Sequence, residues 1–118
     1  MRQEWDLSEI VDKLLEFRRD REWEQFHHPK EVATALGIEV SELQEHFLWR
    51  ENESSTEIQA DSERYQGMKE EIADIAIYLA YLCHDLDIDL AQAIKEKMRK
   101  NNEKYPKDKY RGIFKTSS

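Results

Sequence analysis

What this chain lacks narrows its class. One residue in 118 is cysteine, so no intrachain disulfide can form, and Cys83 lies inside an apolar run where it reads as a small core residue of a protein in a reducing compartment. Glycine occurs three times and proline twice, which leaves few breaks in a chain whose apolar residues recur at three- and four-residue steps; the expected fold class is all-α. No apolar stretch approaches the roughly 20 residues that span a bilayer, and the opening MRQEWDLSEI carries no apolar signal core. The expectation is a soluble, cytoplasmic protein with no membrane partner. Basic residues are in the minority, 18 against 26 acidic, for a net charge of −8, so a general surface for a nucleic-acid polymer is excluded. An acidic protein that handles phosphates needs a metal or a local cluster of Lys and Arg. The length fits a single domain with a modest core, too small to enclose a deep pocket unaided, so oligomerisation is expected.

Four helices are predicted, enough for a four-helix bundle-like domain. The first begins at Asp6, three residues before Glu9 in a capping-box-like start, and sets Leu7, Ile10, Leu14 and Phe17 along one face. After a break at Pro29 the second spans 30–49, with Val32, Leu36, Val40, Leu43 and Phe47 on its core face, and Phe26 just before it is assigned to core packing. The polar segment 51–64 reads as an exposed connector with room for a short helix. The third helix covers 64–85, and the fourth runs from its cap at Asp89 to Tyr105, where Pro106 ends it. The core of the domain is expected over 6–106, with 107–118 an irregular tail.

From Ile72 to Cys83 every residue except Asp74 is apolar or aromatic. A carboxylate inside such a helix is costly unless it is paired, protonated or bound to a metal. Glu71 stands three residues before Asp74, and helix two carries the matching pair Glu42 and Glu45. Residues three apart point to nearly the same side of a helix, so antiparallel packing of these two helices brings four carboxylates together. Their mutual repulsion forbids full ionisation without a cation. An oxygen-only donor set favours Mg²⁺ or Mn²⁺.

Lys97, Asn101 and Lys104 fall at i, i+4 and i+7 of helix four and end at Tyr105, a donor row able to hold polyphosphate oxygens beside such a metal. Trp23, His27 and Trp49 can stack on a base or hydrogen-bond to it. Trp49 shares the stripe of Glu42.

The segments REWEQFHHPKEVATALGIEVSELQEHFLW, EEIADIAIYLAYL and DLAQAIKEKMRKNNEKYP resemble, in order and in helical placement, the all-α nucleoside triphosphate pyrophosphohydrolases of the MazG-like superfamily, nearest the dCTP pyrophosphatase branch. The resemblance covers residues 6–106. It implies a MazG fold assembled as an intertwined homodimer or homotetramer, and Mg²⁺-dependent cleavage between the α- and β-phosphates of dCTP or a modified dCTP, giving the monophosphate and pyrophosphate. It further implies that Glu42, Glu45, Glu71 and Asp74 ligate the metal, one of the glutamates Glu42 and Glu45 also activating water. Lys97, Asn101, Lys104 and Tyr105 would hold the triphosphate, and Trp23, His27, Trp49 and Tyr78 would lie near the nucleotide. One departure is that glycines flanking the first acidic motif in many members are replaced here, giving IEVSELQE. The alternatives are a non-catalytic, metal-dependent nucleotide-binding or sensing module, and a helical interaction protein whose acidic stripes face solvent.

Overall fold

The computed structural model describes residues 6–113, and within them every regular element is helical. Helix α1 (Leu7–Asp20) begins where expected: the Asp6 carboxylate accepts from the Glu9 backbone N–H at 2.8 Å, satisfying one of the donors a helix start leaves unpaired. A 3₁₀ turn, Trp23–Phe26, follows, and α2 (Pro29–Glu45) then starts with Pro29 at its first turn, where the missing N–H costs nothing. Proline here opens a helix. The polar connector holds a short helix, α3 (Ser55–Ala60), capped by the Ser54 hydroxyl, and α4 (Ser62–Asp85) is the longest element. Helix α5 (Leu90–Lys104) is capped by Asp89, and one more helical turn, α6 (Lys107–Tyr110), forms where an irregular tail was expected; the rest of that tail, 114–118, lies outside the described residues.

The chain falls into two compact units, Met1–Leu86 and Asp87–Ser118. In the first, α2 packs along α4 as its main partner. The pairing is antiparallel, since His46, just past the end of α2, meets Glu71 while His27, just before its start, meets Tyr81 further along α4. Helix α1 runs parallel to α4: Leu14 is joined to Tyr81, and Arg18 to Asp85 one turn on. Among the described residues Val32, Met68 and Tyr81 are the buried apolar ones.

That core is narrower than the periodicity suggests. Leu7, Phe17 and Phe26 are exposed, and of the five apolar residues assigned to the inner face of α2 only Val32 is buried, with Val40 and Phe47 largely open. The apolar run of α4 is likewise wrapped on one side only, leaving Ile72 53 % exposed. In the second unit α5 buries none of its residues, and Leu90, Ile94 and Met98 form an uncovered apolar row at four-residue spacing.

Among the described residues the one buried charged residue is Arg18, 5 % exposed, whose guanidinium grips both Asp85 oxygens at 2.9 Å. These hydrogen bonds hold the Asp85 carboxyl below its usual range. Asp85→Asn leaves a buried guanidinium short of its counter-charge and is expected to destabilise the protein by about 2–3 kcal/mol at neutral pH. A depressed carboxylate pKa stabilises the fold above its unfolded value, near 4, and that contribution disappears as pH falls through the lower folded value. Denaturant titrations of both proteins should therefore differ fully at pH 7 and converge toward pH 2.

Candidate functional site

The acidic residues come together on the facing surfaces of α2 and α4. Glu39 and Glu42 lie one turn apart on α2, and Glu71 and Asp74 one turn apart on α4. The carboxyl of Glu39 is pushed above its ordinary range, first by burial and then by the charges of Glu42, Asp74 and Glu71. Its Oε2 is buried without a hydrogen-bond partner. Glu39 lies outside the acidic pairs expected from the sequence, although its signal is there: Glu39-Val-Ser-Glu42-Leu-Gln-Glu45 is a triple acidic repeat at three-residue spacing.

Asp74 is exposed in this chain, contrary to the expectation of a carboxylate enclosed by the apolar run, because α1 and α2 cover only part of α4. Glu42 and Glu71 are half-buried and Glu45 is exposed. The donor set is oxygen only, and like charges crowded around a buried, unsatisfied carboxyl oxygen suit a hard divalent cation. Among the described residues no three acidic, histidine or cysteine side chains already stand in ligating geometry. Closing around an ion therefore requires side-chain turns, which the exposed Glu45 and Asp74 are free to make.

At 1.5 Å per residue, a site roughly 10 Å further along α4 is built from aromatic groups. The His27 ring lies 5.3 Å from Tyr81 and 6.4 Å from Trp23, and Trp23 meets Phe17 edge-on at 5.6 Å. Arg18 lies against the Tyr81 ring, and the Tyr81 hydroxyl donates to the Leu14 carbonyl. Burial, reinforced by the Arg18 charge, draws the His27 imidazole below its usual pKa, and its Nδ1 is buried without a partner. Tyr78 is half-buried on the same helix, one turn before Tyr81.

Trp49 departs from expectation. Helix α2 stops at Glu45: the N–H groups of Phe47 and Leu48 reach back only three residues, to Gln44 and Glu45, and the His46 carbonyl, which a continuing helix would offer to residue 50, accepts from Arg64 Nε at 2.9 Å. Arg64 is itself anchored by both Glu53 oxygens. Trp49 therefore does not share a helical stripe with Glu42. It adopts a left-handed backbone (φ 62°), which costs a bulky residue on the order of 1 kcal/mol, and presents an indole 99 % exposed.

In the second unit Lys97, Asn101 and Lys104 are exposed along one face of α5. Tyr105 caps that helix, its N–H donating to the Asn101 carbonyl, and its ring meets Tyr110 edge-on at 5.3 Å.

A model of the MazG-like family matches residues 34–118, the stretch that carries both acidic pairs and the α5 donors. The chain belongs to the MazG-like family. This MazG-like chain is 40% identical over 107 residues to dCTP pyrophosphatase 1 of Mus musculus, and 39% identical over 101 residues to dCTP pyrophosphatase 1 of Homo sapiens. Those matches take in 90% and 85% of this chain but 62% and 59% of the relatives, so the chain spans about three-fifths of their length. The crystal structure of a pyrophosphatase from Archaeoglobus fulgidus superimposes with a TM-score of 0.77 at 40% identity, covering 90% of this MazG-like chain and 97% of the other.

Proposed function

We propose that this MazG-like protein is a Mg²⁺-dependent nucleoside triphosphate pyrophosphohydrolase that converts dCTP, or a modified dCTP, to the monophosphate and pyrophosphate. The observation that carries the reading is the gathering of Glu39, Glu42, Glu71 and Asp74 on facing helices, where burial and the charges of the other three raise the pKa of Glu39. The names of the relatives matched over most of the chain support the same chemistry.

In this reading Glu42, Glu45, Glu71 and Asp74 hold the cation, with Mn²⁺ a possible substitute for Mg²⁺. The ion supplies neutralisation of phosphate charge and acidification of bound water. One of the glutamates Glu42 and Glu45 also orients the attacking water and receives its proton. Lys97, Asn101, Lys104 and Tyr105 hold the triphosphate, as point charges and hydrogen-bond donors. Trp23, His27, Trp49 and Tyr78 take the base, for which Trp49's exposed indole is an open stacking face and His27's unpartnered Nδ1 a polar contact. Phosphoryl chemistry of this kind needs positioning and charge neutralisation more than covalent help, so no nucleophilic side chain is required.

The protein works as a homodimer or homotetramer, a reading that the uncovered row Leu90, Ile94 and Met98 supports. A cytoplasmic location fits the lone Cys83, and no helix among the described residues is long and apolar enough to cross a membrane. A panel of canonical and modified triphosphates incubated with Mg²⁺ tests the substrate assignment. The expected outcome is the highest kcat/KM for a cytosine deoxynucleotide and none after chelation by EDTA. A nucleotide that binds with Mg²⁺ but is never hydrolysed would favour the sensing module.

A further inference from the structure

His46 follows directly after the first acidic motif and makes three connections to α4 at positions 64, 67 and 71, one face of that helix. Its carbonyl accepts from Arg64 Nε at 2.9 Å. Its ring lies over Gly67, where an added Cβ would stand 3.1 Å from His46 Cε1 and 3.5 Å from Nε2. Its Nε2 is 2.6 Å from Glu71 Oε2, a close contact on a buried oxygen that receives no aligned hydrogen bond. Both side chains are about four-fifths covered.

We propose that His46 is a positioning residue for the acidic site: its ring, in close contact with the Glu71 carboxylate, restrains that carboxylate in a fixed orientation toward the cation, and Gly67, lacking a Cβ, leaves room for the ring. The inference rests on the proposed metal-dependent function. It differs from it in assigning work to two residues that touch neither metal nor nucleotide. The Glu71 carboxylate has two oxygens and a rotatable stem; a contact that restrains one of them orients the other. Groups that orient a metal-binding side chain typically change metal affinity by 10- to 100-fold when removed. Because the His46 carbonyl is tied to Arg64 and Arg64 to Glu53, the ring is carried by a backbone anchored on α4 itself, so its distance to Glu71 does not depend on α2 alone.

The test measures Mn²⁺ affinity by calorimetry and electron paramagnetic resonance on the full chain, beside melting temperature. His46→Ala should weaken Mn²⁺ binding about tenfold. Gly67→Ala should weaken it in the same direction, since the ring must give way to the added methyl, even though alanine is the better helix former and removes no polar group. His46→Gln, whose amide nitrogen reaches about as far as Nε2, should restore affinity to within about threefold of wild type. A merely structural His46 would lower melting temperature in the alanine variants without moving the Mn²⁺ dissociation constant, and that result overturns the positioning role alone. A wild type that binds no Mn²⁺ at all overturns the metal-dependent function, and the positioning role falls with it.

Discussion

Asp74→Asn should lose most activity, by about 10²–10³-fold, yet melt without Mg²⁺ at the temperature of wild type or above it. The sign follows from the charges around Asp74. It is exposed, so asparagine leaves no cavity and no buried group unsatisfied, and the charge it removes is one that raises the pKa of Glu39. Two like charges 4 Å apart repel by about 4 kcal/mol at an effective dielectric of 20, and exposure at Asp74 reduces its share to a fraction of that. Mg²⁺ should stabilise wild type in proportion to its occupancy, as any ligand specific to the folded state must, and should barely stabilise the variant. If Asp74 instead served a structural pairing, the apo variant would melt lower and keep its Mg²⁺ increment. Four melting curves, two proteins with and without Mg²⁺, separate these outcomes.

Association carries the second large effect. Helix α5 has no buried residue, yet its Leu90, Ile94 and Met98 lie on one stripe, and a 15-residue helix with an uncovered apolar face has little stability of its own. If a second copy covers that stripe, Ile94→Glu places a carboxylate in an apolar interface and should shift sedimentation from dimer or tetramer to monomer. Activity should drop at least 100-fold with it, because the same helix carries the donor row Lys97, Asn101 and Lys104. Ile94 is half exposed within the chain, so the substitution itself should cost the isolated fold little. A wild type that sediments as a fully active monomer at micromolar concentration would remove association from the account.

The helices were legible because their signals are local. Asp6 and Asp89, the two caps expected from the sequence, each accept from the backbone N–H three residues on, and the apolar spacing placed α1, α4 and α5 within a few residues of their observed limits. What periodicity cannot supply is how many neighbours a helix has. The run from Ile72 to Cys83 looks like an interior helix, but within the chain α4 has partners on one side, so Asp74 is open and Ile72 half open. The same limit explains Val40 and Phe47. The end of α2 was illegible for a different reason: it is set by Arg64, 18 residues away in sequence, taking the His46 carbonyl. Spacing pairs Glu42 with Glu45 but gives no ground to rank Glu39, whose environment depends on burial and on charges from its own and another helix.

Hydrolysis of dCTP followed by ³¹P nuclear magnetic resonance in the presence of Mg²⁺ addresses the central claim most directly, because it reads the bond that breaks. The resonances of dCTP should be replaced by those of dCMP and pyrophosphate in equal amounts, with no dCDP, and the conversion should stop on adding EDTA. Appearance of dCDP with orthophosphate, or an unchanged dCTP spectrum at high enzyme concentration, would contradict it.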